Sequence, residues 1–372
     1  MRQLFAVVVG LLVLTSTVGM GAVGAHDGVG AAQSEFECEF PVSVTDATGE
    51  EITIEEEPEE IVAMQPSDAQ TLWEIGAQGK VVGMPVGQYT EYLDGHDEVE
   101  DISEDDGITV STERVIDLEP DLVLASAVAD EEQIEQLRDA GLTVHQVQSA
   151  TSIDDVRENT ETVGQLTGEC EGAADTLAWM DEELGAIEGA VEDEESPTVL
   201  YAMGDGFTAG EGTFIEDVIE TAGGENLGSE AGIEFYGQIS EEVVISEDPD
   251  WIVYPDTFEE PPVSEQVIES TSAGQEDRVV QVDAQRMNQP GPQVVYAVDS
   301  LAETFHPEAY AAADDAAAES EDADEADTDE PATDEEGEPA DDAAESEDQP
   351  GFGIVAALAA LIAAALLFLR RR

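Results

Sequence analysis

Fourteen residues of this chain recur 129 positions later: Ser111 to Leu124 (STERVIDLEPDLVL) aligns without gaps to Ser240 to Val253 (SEEVVISEDPDWIV). Ser, Glu, Val, Ile, Pro and Asp coincide in the two copies. In each copy the Ser is placed to cap a short helix, and the Glu lies in the first turn, where the helix dipole favours an anion. Pro-Asp then stops the helix and turns the chain into an apolar run that reads as a buried strand. A generic likeness between two helix-turn-strand units is the competing explanation. The ungapped match instead points to two similarly built lobes carrying matching glutamates, Glu113 and Glu242, at matching helix starts.

The segments around the repeat supply the rest of each lobe. Val42 to Thr45 and Ile52 to Ile54, separated by Asp46-Ala47-Thr48-Gly49, read as a hairpin. Apolar runs at Ile61–Met64, Val81–Met84, Leu122–Ala125 and Thr143–Val147 then alternate with helical patterns at Ser67–Ile75, Thr112–Leu118 and Glu131–Ala140. This alternation implies a mainly parallel α/β sheet. Beyond Pro197 it resumes, with strands at Val199–Met203, Trp251–Tyr254 and Val279–Val282 among helices ending with Gln293–Phe305.

Between the two halves, Ile153, Val156, Val163, Leu166, Cys170, Ala174, Leu177, Leu184, Ile187 and Val191 keep helical spacing. Sustained over about 38 residues, that is a helix of roughly 57 Å. Gly164, Gly168 and Gly172 each cost about 1 kcal/mol relative to Ala, yet their four-residue spacing makes a smooth face that another element can approach. A break near Gly168 is the competing reading. The expectation is an α/β protein of two three-layer α/β lobes, 38–150 and 196–310, joined by one long rigid helix over 151–195.

The chain carries 90 Asp and Glu against 10 Lys and Arg, a formal charge of −80. Nucleic acid or an anionic membrane surface is excluded as a default partner, because both need a basic face. Charge of this size pushes a compact chain apart unless salt shortens the Debye length from roughly 10 Å at 0.1 M to roughly 3 Å at 1 M, so the composition suggests a high-salt habitat. With 41% hydrophobic residues and long periodic segments, a packed core is expected rather than disorder.

The two ends stand apart from the lobes. Residues 1–32 read as a secretory signal peptide and short leader: Arg2, an apolar run from Leu4 to Leu14, then small residues through Ala25. Residues 311–349 hold 19 acidic residues and no aliphatic residue larger than Ala, an acidic disordered tether reaching at most on the order of 130 Å. Residues 350–372 open with Pro350-Gly351-Phe352, continue with an apolar stretch of roughly 25 Å if helical, and close with Arg370-Arg371-Arg372. The Arg triplet belongs inside, which leaves the lobes outside. This order resembles the carboxy-terminal sorting signal of archaeal surface proteins, which implies a tail cut and replaced by a lipid.

Chemistry-bearing motifs are scarce. Of four His, His26 and His306 lie at the ends, and His96 and His145 show no ligand spacing, so no metal site is expected. No nucleophile elbow, phosphate-cradling loop or dinucleotide fingerprint is present, so no catalytic residue is assigned. Acid pairs occur throughout and single out no general acid or base. Cys38 and Cys170 suit one disulfide in an oxidising exterior, with two buried thiols the alternative. Closing about 130 residues, that bridge contributes on the order of 4 to 5 kcal/mol in the chain-entropy model.

Four segments, Ile61–Glu74 (IVAMQPSDAQTLWE), Thr112–Ala125, Gly206–Leu227 (GFTAGEGTFIEDVIETAGGENL) and Tyr236–Val253, together resemble the solute-binding proteins of ABC importers for cobalamin and ferric siderophores. The likeness spans roughly Val42 to Phe305. The stretch from Phe207 through Gly223-Gly224-Glu225-Asn226 to Gln238-Ile239-Ser240 looks most like the cobalamin binders. By that resemblance Tyr89, Tyr92, Phe207 and Tyr236 line a cleft between the lobes, with Tyr236 where the cobalamin binders carry Trp. The family's acid and Arg at the last cleft loop fall on Asn288 and Gln289, which leaves Arg286 as the nearby cation, facing either ligand or a surface carboxylate. Glu113 and Glu242 match the lobe-tip glutamates that dock on Arg pockets of the two permease subunits.

The resemblance thus implies a haloarchaeal extracellular receptor, anchored to the membrane at its C-terminus, monomeric, and working without catalysis or a cofactor of its own. It would carry a corrinoid or ferric chelate to an ABC permease dimer with its ATPase. A ferric-siderophore or haem receptor is the alternative within the class. A surface-anchored structural or adhesive protein, from another class, would share the leader, tether and anchor but not the repeat or the aromatics.

Overall fold

The computed structural model describes residues 38–104 and 109–312; the expected leader, the tether beyond Ala312 and the terminal apolar segment lie outside the described residues. The hairpin comes first, as β1 (Val42–Thr45) and β2 (Glu51–Ile54). The first lobe continues with β3 (Ile61–Ala63), α1 (Pro66–Glu74), β4 (Val81–Met84), β5 (Glu100–Asp101), α2 (Thr112–Asp117), β6 (Leu122–Ala125), α3 (Glu131–Asp139) and β7 (Val144–Gln146). Its parallel sheet has the order β5-β4-β3-β6-β7.

Successive side chains leave a strand on opposite faces. Ile61, Ala63, Leu122 and Leu124 join the core beneath α1, while Val62, Met64, Val123 and Ala125 join that beneath α2 and α3. Both faces are covered, which is why these strands read as unbroken apolar runs rather than as alternating ones.

Where one unbroken helix was expected over 151–195, the chain makes a hairpin of α4 (Ile153–Thr167) and α5 (Cys170–Val191). Gly168 takes the left-handed conformation (φ 82°) that ends α4. The two helices then cross so closely that a Cβ on Gly164 would stand 2.4 Å from that of Ala173, and further along Arg157 pairs with Asp181. Ile153 and Val156 of α4 sit in the core of the second lobe, and Val163 and Leu166 in that of the first. Helix α5 returns, from Ala173 in the first core to Met180, Leu184 and Ile187 in the second. Two struts therefore span both lobes instead of one.

At the turn of this hairpin, Cys170 forms a disulfide with Cys38 (Cα–Cα 5.8 Å). Lys80 lies beside it, with Nζ 2.8 Å from both Glu57 and Glu169 and donating to the Thr167 carbonyl at 2.6 Å. Its charge thus meets the negative end of α4.

The second lobe comprises β8 (Thr198–Tyr201), β9 (Phe207–Ala209), α6 (Phe214–Thr221), β10 (Glu225–Asn226), α7 (Leu227–Glu230), β11 (Tyr236–Gln238), α8 (Glu241–Glu247), β12 (Trp251–Pro255), α9 (Glu265–Ser270), α10 (Ser272–Gln275), β13 (Val279–Val282), α11 (Ala284–Asn288) and α12 (Val294–Phe305). Its parallel sheet, β10-β8-β12-β13, repeats the order β4-β3-β6-β7 of the first lobe, and β9 and β11 form a separate antiparallel pair.

The sequence repeat is a structural repeat. Glu119 and Asp248, 129 apart, both adopt positive φ (49° and 51°) to end α2 and α8. The Asp of each Pro-Asp turn then secures the start of the neighbouring strand. Asp121 Oδ2 accepts from the N–H groups of Glu59 and Glu60 ahead of β3, and Asp250 Oδ2 from that of Thr198 in β8, all at 3.0 Å. The expected serine cap is made only in the second copy, where Ser240 Oγ accepts from Val243 N–H at 3.3 Å; Ser111 makes no such side-chain bond.

Candidate functional site

In a parallel sheet the strands end on one edge, and the loops leaving that edge form the natural crevice. Here the two sheets offer such edges to one cavity of about 770 Å³. Gln65, Pro66 and Asp68 follow β3, Ser126 to Val128 follow β6, and Val147 to Thr151 follow β7. From the other lobe come Tyr201 and Met203 around the end of β8, Thr257 and Phe258 after β12, and Ala284, Asn288 and Gln289 after β13. The mouth is apolar, since Phe235 (63% exposed) and Tyr236 (50%) stand on the second lobe and Val128 (83%) on the first. Phe235 holds positive φ (58°), a conformation costly for a bulky side chain and of the kind found at ligand clamps.

The wall is almost free of charge. Among the described residues lining the cavity there is no Lys, Arg or His, and a single carboxyl, Asp68, in a chain with 90 acidic residues. Gln65, Ser67, Thr71, Gln148, Asn159, Thr213, Asn288 and Gln289 supply neutral donors and acceptors instead. Tyr201, fully buried, donates to Asn288 Oδ1 at 2.9 Å, and burial pushes its phenol pKa up. Burial likewise raises that of Tyr236.

Asp68 lies in the first turn of α1 and is 5% exposed. A backbone N–H of Gln65 donates to its carboxyl, as an acid one turn into a helix commonly arranges. Its Oδ2 is buried without a partner, and burial pushes the carboxyl up to about 7.

A seam of amides joins the lobes next to the cavity. Gln70 Nε2 donates to the Tyr92 hydroxyl (2.8 Å), which donates to Gln289 Oε1 (3.3 Å). Gln289 Nε2 donates to the Tyr89 carbonyl (3.2 Å), and Gln285 Nε2 to that of Gln88 (2.5 Å). Gln293 donates from its backbone to Gln70 Oε1 (3.0 Å) and from its side chain to Glu74 Oε1 (2.7 Å).

Of the residues expected in the cleft, Tyr89 and Tyr236 line it and three others do not. Tyr92 belongs to the seam, where burial pushes its pKa up to about 12. Phe207 lines a different cavity of about 600 Å³ confined to the second lobe, beside Ser240 and Glu241; in the β9–β11 pair it lies opposite Gln238, two residues further along the ribbon than Tyr236. Arg286 turns outward over the Tyr296 ring (4.8 Å) and lies 3.6 Å from Asp283.

Sequence reasoning missed Asp68 and Phe235. The first was hidden among so many acids, and the second was signalled only by its adjacency to Tyr236. Glu113 and Glu242 are exposed in the first turns of α2 and α8. Each helix feeds a strand through the Pro-Asp turn at that strand's start, so the helix itself begins at the carboxyl edge, on the cleft side of its lobe.

Comparison with known proteins gives the same architecture. The periplasmic binding protein family matches residues 61–285, and the PGF-CTERM motif matches residues 349–371. A cobalamin-binding protein of Halobacterium salinarum is 40% identical over 366 residues, 96% of each chain. An uncharacterized ABC transporter substrate-binding lipoprotein of Bacillus subtilis is 29% identical over 282 residues, 73% of this chain and 87% of that one. Among solved structures, the vitamin B12-binding protein BtuF of Vibrio cholerae has TM-score 0.58 at 21% identity, covering 67% of this chain and 96% of its own. The heme-binding protein RhuT of Roseiflexus has TM-score 0.60 at 24% identity, covering 68% and 99%. At these identities the two structures speak for the fold alone.

Proposed function

This chain belongs to the periplasmic binding protein family, and from that premise we propose that it receives a corrinoid between its lobes and passes it to an ABC permease. The single observation that carries the choice of ligand is the chemistry of the cavity wall, which holds one carboxyl and, among the described residues, no cation. Haem brings two propionates, and many ferric siderophores are anions. Either would have to leave water for a site with no counter-charge, inside a chain of charge −80. A corrinoid such as cyanocobalamin is instead neutral overall, its one phosphodiester balanced by the charge at cobalt, and presents a rim of neutral amides around a flat macrocycle. Gln, Asn, Ser and Thr side chains pair with such amides, and aromatic faces cover the macrocycle at small conformational cost. The name of the 40% identical relative agrees with this reading.

On this reading Tyr89, Tyr236 and Phe235 contact ligand, Arg286 does not, and the receptor works without turnover. Glu113 and Glu242 dock on the two permease subunits, a role that suits duplicated lobes meeting a two-fold partner. The PGF-CTERM motif indicates anchoring at the cell surface. A cleaved leader, an acidic tether and a lipid-exchanged tail complete the proposed export and attachment.

The test is to incubate the purified full-length protein in molar salt with cyanocobalamin, haem or a ferric hydroxamate and then remove free ligand by gel filtration. A retained corrinoid spectrum at one per chain is expected. Retention of haem or hydroxamate in its place would overturn the choice of ligand, and retention of none by folded protein would favour a structural surface role.

A further inference from the structure

The cavity that Phe207 lines breaks the symmetry of the two lobes. Leu200, Ala202, Val244 and Val267, all buried in the core beneath α8 and α9, form its floor. Phe207 (42% exposed) and the half-buried Ile239 and Val263 wall it nearer the surface. In the first lobe the matching gap, between the starts of α2 and α3, is bridged. Gln133, the third residue of α3, donates from Nε2 to the Val110 carbonyl at 2.8 Å and to Thr112 Oγ1 at 3.1 Å. Val110 itself is buried in the core there. Moved on by 129 positions, Val110 and Thr112 become Ile239 and Glu241. The third residue of α9 is Val267, whose side chain has no polar group to make the bridge. About 600 Å³ therefore stays open in the second lobe.

The opening is preformed, since the Ile239 N–H donates to the Gly206 carbonyl at 2.9 Å and Gln238 Nε2 to that of Asp205 at 3.1 Å. Apolar walls open to solvent gain from being covered, and the charge around them selects the occupant. Asp205 and Glu241 line the cavity and are exposed, Glu242 and Glu265 are exposed next to lining residues, and among the described lining residues there is no Lys, Arg or His. Residues 311–349 of this chain, with their 19 acids, are repelled by such a rim. A segment that is apolar at its tip and basic beside it is attracted.

We propose that this cavity is a socket for an apolar side chain on an extracellular loop of the ABC permease, flanked there by a basic residue that meets Asp205, Glu241 and Glu242. The proposal rests on delivery of ligand to that permease and deepens it. The permease is the partner that the family implies, and Glu242, next to Glu241 on the rim, is the residue already placed on the docking face. An apolar anchor seated in a pocket and ringed by polar groups is a common form of interface hot spot. Because the first lobe bridges its gap, the two lobes grip the permease unequally: both offer a glutamate, and the second adds the socket.

The experiment places the photoreactive analogue p-benzoylphenylalanine at position 207 of the full-length protein in cells and identifies by mass spectrometry what it joins on irradiation. In parallel, cyanocobalamin uptake by cells and the affinity of the purified receptor are measured for the parent, Phe207→Ala and Val263→Asp, with circular dichroism verifying folding. The expected cross-link is to an extracellular permease loop, at an apolar residue beside a Lys or Arg. Both variants should lower uptake about tenfold while binding cyanocobalamin as the parent does. A cross-link to a second copy of the chain, to its own apolar terminal segment or to no protein would overturn the proposal. Unaltered uptake, or an equal loss of ligand affinity, in the folded variants would do the same. Permease cross-linking by a parent that neither binds nor takes up cyanocobalamin would overturn the corrinoid reading and leave the socket standing.

Discussion

Replacing one glycine of α5 by alanine should destabilise the protein, and the same change two turns from the helix end should stabilise it. At Gly172 an added Cβ would stand 1.9 Å from the carbonyl oxygen of Ile75 and 2.8 Å from its carbonyl carbon. Non-bonded heavy atoms prefer roughly 3.5 Å, so α5 and the end of α1 would have to part by more than an ångström. The partner is backbone and cannot rotate away. The separation would also stretch the bond that Thr176 Oγ1 donates to the Glu74 carbonyl at 2.9 Å. Overpacking typically costs 1–3 kcal/mol and a lost hydrogen bond about 1 kcal/mol, while the better helix propensity of Ala returns about 1 kcal/mol. The net expectation for Gly172→Ala is a loss of about 1–3 kcal/mol. Gly185, exposed on the same helix, has nothing within 4 Å of such a Cβ, so Gly185→Ala should gain about 0.5–1 kcal/mol. Urea unfolding of both variants and the parent in molar salt, followed by far-ultraviolet circular dichroism, measures the difference. A Gly172→Ala protein as stable as its parent would refute the close approach of α5 to α1, and with it the idea that Gly172 sets the position of the helix that carries Asp68, Gln70 and Glu74.

Two further outcomes follow from the repeat and from a buried imidazole. Glu113→Arg combined with Glu242→Arg should abolish corrinoid uptake by cells while leaving the affinity of the purified receptor unchanged; unaltered uptake would remove these glutamates from the docking role. His145 is buried in β7, and burial holds its pKa down at about 4, well below the usual value near 6.5. The unfolded chain therefore takes up this proton first as the pH falls, so the stability that His145 contributes is full above pH 6.5 and is lost towards pH 4. Asp68, raised to about 7, contributes the opposite slope over part of the same range, so the comparison has to be made within a variant pair. Between pH 7 and pH 5 the parent should lose on the order of 2 kcal/mol more than His145→Gln in urea unfolding, and equal losses would refute the assignment.

The sequence by itself determined what short-range rules encode. Both faces of the central strands are covered, so Ile61–Ala63 and Leu122–Ala125 could be written only as unbroken apolar runs. The repeat was legible because the strand clamps at Asp121 and Asp250 demand the same residue at the same spacing in each lobe, two residues after a left-handed acid, Glu119 in one and Asp248 in the other. The parallel α/β lobes and their relation by repeat follow from these local requirements. The reversal at Gly168 did not follow, because the apolar stripe keeps its 3.6 period through both α4 and α5, each helix facing the same pair of cores. Only the contact of Gly164 with Ala173 and the disulfide at Cys170 settle the direction of the second helix.

The same limit applied at the site. Tyr89 and Tyr236 could be placed by resemblance, but Phe207, on the same face of the β9–β11 ribbon as Tyr236, stands two residues further along it, opposite Gln238, and meets the other cavity. Asp68 was one acid among 90 in the chain, and nothing in its neighbours along the sequence distinguishes it. Its distinction is a desolvated Oδ2 without a partner, a property of the volume around an atom, and that volume exists only once the chain has folded around it.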